Sequence, residues 1–317
     1  MKITFLEVEK EDRKKIKQKF PQAQIISGVL SEKEIIKKCR ETEILCIFIY
    51  NKISEKVINN LTNLKLIITR SVGYDHIDLK TAKKRKVAIC NVPDYGSHVI
   101  AEHVFALLLS GLRHIPEGDL RVEKKHQFTF QGLRGITLKG KTLGIIGTGK
   151  IGADVARIAS LGFMMKVIAF DPHPNKKFAL ENNFLYKTLN KIWSDSDIIS
   201  LHCPLLLITK HLINNKSISQ MKQGVIIINT SRGEIIKTEA LIKGLKQGKI
   251  QYAFLDVLEH EKNINKNKEL IKLPNVTTTP HIAFYADDSM KKMYDEAFVS
   301  INCFLQGKKL IHQVYGL

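Results

Sequence analysis

The sequence predicts an α/β fold of two doubly wound parallel-sheet domains with a cleft between them, and three observations carry that prediction. Short apolar runs alternate with charged, helix-like stretches up to residue 91. A glycine turn framed by two strand-like runs arrives only in mid-chain, at residues 147–152. Six apolar runs then recur between residues 143 and 279. Strands that alternate with helices imply a parallel sheet covered on both faces.

In chain order, residues 3–8 read as a strand and 11–20 as a charged helix. Residues 24–26 read as a short strand, 31–40 as a capped helix and 44–50 as a strand. A helix over 56–61, a strand over 65–69, a helix over 79–85 and a short strand over 88–91 complete the first segment. Turn chemistry at 91–97 ends it. Ser97 is then expected to cap a long apolar helix over about 98–114, and residues 115–140 read as looser and polar. The second set of strands is 143–146, 167–170, 198–201, 225–229, 252–257 and 276–279, and residues 287–306 form an amphipathic helix able to return to the first lobe. The expected division is therefore 1–97 with 287–317 as a discontinuous substrate domain, and 98–286 as a nucleotide domain.

Composition narrows the function classes. No apolar run reaches the ~18 residues of a membrane span, and the start of the chain becomes charged within a few residues, which reads as a first strand rather than a signal peptide. The five cysteines are scattered, without metal-ligand or disulfide spacing, so no metal is expected and a cytoplasmic location is. The net charge of +19 raises nucleic-acid and membrane binding as readings. Its lysines are spread along the chain without aromatic interleaving, which favours a solvated basic surface and no nucleic-acid or membrane partner.

The glycine turn is the densest signal. An apolar strand runs into Gly147-Thr148-Gly149-Lys150-Ile151-Gly152, a helix follows, and a second strand ends in Asp171. The first glycine permits the tight turn, the second lets backbone approach a pyrophosphate, and the third lets helix pack on strand. A carboxylate at Asp171 accepts from ribose hydroxyls and repels a 2′-phosphate, so NAD is the expected cofactor.

Ligands of open α/β sheets bind outside the carboxyl ends of the strands. That edge collects Thr230-Ser231-Arg232-Gly233, Asp256 with Glu259 and Glu261, Pro280-His281, and His202-Cys203-Pro204. A histidine can give and retake the carbonyl proton of a 2-oxo acid, a carboxylate can hold its tautomer, and an arginine fork can clamp a carboxylate. We therefore expect His281 as acid/base, Glu261 as its partner, with Glu259 the nearby rival, and Arg232 as substrate clamp. His202 would frame the cofactor pocket, and Cys203 lacks a base that would make it a nucleophile.

Taken together, residues 71–78 (SVGYDHID), 91–95 with 101–103, 144–152, 201–205, 229–233, 255–257 with Glu261, and 279–285 (TPHIAFY) make the chain resemble the D-isomer-specific 2-hydroxyacid dehydrogenase family over nearly its whole length. The resemblance is strongest to the D-lactate dehydrogenase branch, because Phe284 and Tyr285 follow Pro-His and Tyr95 accompanies them. It implies a flavodoxin-like substrate lobe and a Rossmann NAD-binding lobe that close over the reactants, with Arg232, Glu261 and His281 catalytic. It also implies that the backbone around Val72 and Gly73 binds the substrate carboxylate, that Tyr95 and Tyr285 contact substrate, and that Asp256 holds the nicotinamide carboxamide. Homodimerisation near residues 98–114 is implied in the same way. Pyruvate is the expected substrate, with glyoxylate, hydroxypyruvate or a branched-chain 2-oxo acid as alternatives. The lack of a second proline within 94–97 and the lysine-rich stretch 262–272 are departures that bear on the substrate, and the end at residue 317 speaks against the longer phosphoglycerate enzymes. A co-repressor-like NAD sensor is the alternative of another class.

Overall fold

The computed structural model describes residues 1–314; residues 315–317 of the expected 287–317 segment lie outside them. The chain divides into two units, one formed by Met1–Tyr95 and the chain from Ala286 onward, the other by Gly96–Tyr285.

The first unit holds β1 (Ile3–Phe5), β2 (Gln24–Ile25), β3 (Ile44–Ile47), β4 (Leu66–Thr69) and β5 (Ala88–Cys90), in the order β2-β1-β3-β4-β5. Every pairing is parallel. Helices cover both faces of such a sheet, so its central strands carry continuous apolar runs instead of alternation. β3 and β4 are buried at every position. The chain returns to this sheet through the Asp287–Leu305 helix, which buries Met293, Tyr294, Ala297, Phe298 and Ile301. Phe298 packs edge-on against Phe5 and Phe20, at centroid distances of 6.1 and 5.3 Å. Beyond that helix, Gln313 bridges Cys90 antiparallel and the Val314 N–H donates to the Ile89 carbonyl at 2.9 Å.

The second unit holds β6 (Thr142–Ile146), β7 (Lys166–Phe170), β8 (Leu185–Tyr186), β9 (Ile198–Leu201), β10 (Val225–Asn229), β11 (Ile250–Leu255) and β12 (Val276–Thr278). Their order, β12-β11-β10-β9-β6-β7-β8, reverses at β6/β9, the switch point of a doubly wound dinucleotide fold. One face is packed by the Ser97–Leu112 helix through Ala101, Val104, Phe105, Leu107, Leu108 and Leu112. The opposite face is packed by Ile192, Trp193, Ile218, Leu241 and Leu245.

Three expectations are corrected. The sheet has seven strands rather than six, because β8 is a two-residue edge strand, paired to β7 through Leu185 and Tyr186. Ser97 does not cap its helix: it is the first helical residue, Gly96 precedes it, and no side chain caps the turn. Residues 115–125 are a helix, with a proline in the first turn and a Glu117–Arg121 ion pair of 3.1 Å, but none of its residues is buried. A helix without a buried face leaves no apolar stripe for a sequence to display. Among the described residues no single helix is long and apolar enough to cross a membrane.

Candidate active site

In a parallel sheet the carboxyl ends of all strands share one edge. In the second unit that edge starts with the glycine turn after β6. Gly147 has φ +92, and a side chain there would meet the backbone of His202 and Cys203 at 2.7–2.8 Å. The turn is thus pressed against the loop after β9, at the switch point. A Cβ on Gly152 would come within 2.0 Å of the Gly147 carbonyl, so only glycine lets the helix start there. Gly149 differs: nothing lies within 4 Å of its would-be Cβ. The first bond of the helix ladder there is Ala153 N–H to Gly149 carbonyl, 2.9 Å, so the N–H groups of Lys150, Ile151 and Gly152 precede the ladder.

Asp171 ends β7. One carboxylate oxygen accepts from the Thr148 N–H (2.6 Å) and hydroxyl (3.1 Å), the other from the His173 N–H (2.8 Å). The Thr148 hydroxyl also meets the Tyr186 hydroxyl at 2.8 Å, and that oxygen accepts from the Asn175 N–H at 3.1 Å. Tyr186 comes from the edge strand β8 and is a site residue that pattern reading missed. His202 Nε2 lies 2.7 Å from the Ser200 hydroxyl, and burial pushes its pKa down to about 3. It is a neutral frame for the turn rather than an acid. Burial also raises the Cys203 thiol to about 11, which keeps it protonated and unreactive. Pro204 follows in the same loop, its carbonyl accepting from the Thr209 hydroxyl at 2.6 Å.

The open face at Gly149 and the carboxylate one strand over fit a dinucleotide. So does Thr230 after β10, whose hydroxyl is buried without a hydrogen-bond partner among the described residues. A bound nucleotide would give that hydroxyl a partner.

Further along the edge stand the groups of acid–base type. His281 Nδ1 is 3.2 Å from Glu261 Oε2. A carboxylate accepts only, so Nδ1 carries the proton and Nε2 is left for exchange. Nε2 has no hydrogen bond among the described residues. The other Glu261 oxygen accepts from the Leu258 N–H at 3.3 Å. Glu259 is occupied elsewhere, by His211 Nε2 at 2.5 Å and by the Thr238 N–H at 2.9 Å. Burial would raise its pKa, but these bonds outweigh it and hold the carboxyl below its usual range. Arg232 donates to the Ser231 carbonyl at 2.7 Å, and its own carbonyl accepts from Asn229 Nδ2 at 2.9 Å. A Cβ at the adjoining Gly233 would lie 2.0 Å from the Leu258 carbonyl carbon, so the Arg-Gly backbone is seated on the loop that bears Glu261.

Asp256, which the resemblance assigns to the nicotinamide carboxamide, follows β11. It is 1% exposed, and its side chain is turned into the protein. Oδ1 accepts from the Thr279 hydroxyl (2.5 Å) and the Ile282 N–H (2.8 Å), and Oδ2 from the Ala283 N–H (2.9 Å). His103 Nε2, from the Ser97–Leu112 helix, lies 3.5 Å from Oδ1 and 3.2 Å from the Thr279 hydroxyl. The Asp256 carbonyl accepts the His281 N–H at 2.9 Å. His281 sits at φ +57, a left-handed conformation that costs a non-glycine residue ~1–3 kcal/mol. Each N–H bond to a charged acceptor returns ~1.5–3 kcal/mol, so the Asp256 bonds outweigh that strain and fix the turn that carries the imidazole. Oδ2 accepts only the Ala283 N–H among these bonds and keeps acceptor capacity. Tyr285 is half exposed and packs edge-on against Phe284 at 5.9 Å.

The first unit carries its own candidate. After β4, the Ser71 carbonyl accepts from the Val92 N–H at 3.0 Å and the Val72 carbonyl from Asn91 Nδ2 at 2.8 Å. The Gly73 carbonyl accepts from the Ser71 hydroxyl at 2.6 Å. The N–H groups of Val72 and Gly73 have no acceptor among the described residues. Just before them Arg70 is buried, donating to the carbonyls of Leu6 and Glu7 at 3.0 Å each, with its guanidinium 4.9 Å from the Tyr294 ring centroid. Tyr95, at the end of this unit, is 6% exposed. A recess lined by Lys141, Asp197, Lys222 and Gln251 lies at the opposite edge of the second sheet, at the amino ends of its strands and away from the groups at their carboxyl ends. Among the described residues, no three His, Cys, Asp or Glu side chains cluster as metal ligands.

An edge that combines a nucleotide cradle with an oriented imidazole is that of enzymes which pass hydride to and from a nicotinamide dinucleotide. Residues 105–283 match the family model described as D-isomer specific 2-hydroxyacid dehydrogenase, NAD binding domain. The chain belongs to the D-isomer specific 2-hydroxyacid dehydrogenases, and NAD is its cofactor. Among its relatives, a hydroxypyruvate reductase of Thermotoga maritima is 37% identical over 272 residues, covering 85% of this chain and 87% of that one. The apo-structure of D-lactate dehydrogenase from Escherichia coli is similar with a TM-score of 0.88 and 33% identity, over 99% of this chain and 100% of that one. D-lactate dehydrogenase from Aquifex aeolicus, complexed with NAD and lactic acid, is similar with a TM-score of 0.86 and 34% identity, over 96% of each chain.

Proposed function

We propose that this dehydrogenase reduces pyruvate to D-lactate, with His281 as the proton donor. The observation that carries the reading is the His281–Glu261 pair: Nδ1 is held at 3.2 Å by a carboxylate, which leaves Nε2 to protonate the carbonyl oxygen. Arg232 clamps and polarises the 2-oxo acid, and the Val72 and Gly73 N–H groups receive its carboxylate. Bound NADH supplies the hydride. Gly147–Gly152, Asp171 and Thr230 hold it, and Asp171 selects it over NADPH. Asp256 acts on the reaction through the turn that it fixes. Two similar structures are D-lactate dehydrogenases, which supports pyruvate, whereas the hydroxypyruvate reductase relative keeps that acid as the rival. As partner we propose a second copy of this chain, since the segment after the Ser97–Leu112 helix bears Phe128 and Phe130 at 96% and 86% exposure.

The test is NADH and NADPH oxidation with pyruvate, glyoxylate, hydroxypyruvate, 2-oxoisocaproate and phenylpyruvate. Pyruvate with NADH is expected to give the highest kcat/KM. A tenfold preference for another acid overturns the substrate, and an NADPH preference overturns the role of Asp171.

A further inference from the structure

We propose that Asn91 is a positioning residue for the substrate carboxylate: by donating to the Val72 carbonyl, it sets the peptide whose N–H, on Gly73, binds that group. The inference rests on the reading of Val72 and Gly73 as carboxylate-binding residues, and it adds the device that orients them.

A trans peptide holds its N–H opposite its own carbonyl, and among the described residues no peptide is cis. The Ser71 and Val72 carbonyls are both turned to one neighbouring segment, to the Val92 N–H at 3.0 Å and to Asn91 Nδ2 at 2.8 Å. Their partner N–H groups, on Val72 and Gly73, therefore both face away from that segment. Neither has an acceptor among the described residues, so both are available to one anion, the arrangement by which successive N–H groups form an anion-binding concavity. The two anchors differ in kind. Val92 uses a backbone N–H that every residue but proline has, while Asn91 uses its side chain. Only a donor of this reach at position 91 keeps the second peptide turned.

Asn91 is itself held in place. Its N–H donates to the His312 carbonyl at 3.2 Å, beside the Cys90–Gln313 bridge and the Val314–Ile89 bond. The returning C-terminal segment thus fixes the backbone from which the amide reaches Val72. His312 Nε2 lies 3.3 Å from a Glu296 carboxylate oxygen on the Asp287–Leu305 helix, a close approach without a hydrogen bond.

Asn91→Asp is the sharpest variant: it keeps shape and volume but offers an acceptor to a carbonyl oxygen. Asn91→Ala removes the donor without adding a charge. In the full chain with pyruvate, or with the acid reduced fastest in the panel above, Asn91→Ala is expected to raise KM about tenfold, as loss of one hydrogen bond allows. Asn91→Asp should raise it further. The KM for NADH should stay within about twofold, and kcat within about threefold of the parent value. A merely structural role would instead move kcat, the KM for NADH and the melting temperature together, and that result overturns the proposal. So does an unchanged KM for the acid in Asn91→Asp. Gly73→Pro deletes the N–H itself and separates the two readings. If Gly73→Pro raises KM and the Asn91 variants do not, only the role of Asn91 falls. If Gly73→Pro leaves KM unchanged, the carboxylate reading fails and this inference with it.

Discussion

Glu259 and Glu261 lie on one loop, two residues apart, yet they meet unlike partners. Glu259 joins His211 to the start of the Thr238–Lys246 helix, and Glu261 meets His281. Strand-end position picks out Arg232 and His281 in the sequence, because in a parallel sheet every such residue reaches one edge, whereas the choice of Glu261 over Glu259 comes from the family resemblance. The supports of that edge are not legible there. Asp256 acts on a turn 23–27 residues ahead, and His103 reaches it from a helix far earlier in the chain. Such long-range bonds leave no local periodicity to read. His202 yields a pH prediction. Burial pushes its folded pKa down to about 3, while in the unfolded chain it titrates near the ordinary 6.5. Between those values the unfolded state binds a proton that the folded state refuses. Stability is therefore complete above about pH 6.5 and falls as pH drops toward 3, by at most ~1.4 kcal/mol per pH unit from this group. Urea unfolding from pH 7 to pH 4 should show a shallower acid loss in His202→Asn than in the parent. Equal slopes would show that the imidazole titrates normally in the folded state.

At the scale of elements, continuous apolar runs made the central strands legible, since a strand buried on both faces writes itself as four or five β-formers. β8 escaped because it is only Leu185–Tyr186 at a sheet edge, half covered, and it brings Tyr186 to the Thr148–Asp171 network. The Ile115–Lys125 helix escaped because it buries nothing and contains Pro116 and Gly118. That exposure has its own consequence. Ile115, Leu120, Phe128 and Phe130 are all more than half exposed, and the dimer proposed above would cover them. With a second copy as the partner, sedimentation should give about twice the chain mass of 36.0 kDa. Phe128→Ser with Phe130→Ser should shift the mass toward one copy. A parent that sediments as a monomer at micromolar concentration contradicts the dimer.

Across the whole molecule, two sheets wound to the same rule place the candidate site residues at their carboxyl ends, in orders 2-1-3-4-5 and 7-6-5-4-1-2-3 when each is counted from its own first strand. One chain builds both by leaving the first unit at Tyr95 and re-entering it at Ala286. The return also braces, through residues 312–314, the strand end that carries Asn91. The net charge of +19 gives the molecule a field that draws in NADH and a 2-oxo acid, both anions. The proposed function rests on one proton, which His281 would deliver to the substrate carbonyl oxygen. The most direct measurement is the turnover of His281→Ala with NADH and pyruvate, alongside NADH binding by fluorescence. The account predicts a fall in kcat of about 10²–10⁴-fold with NADH affinity kept. Turnover near the parent value, with NADH still bound, would contradict it.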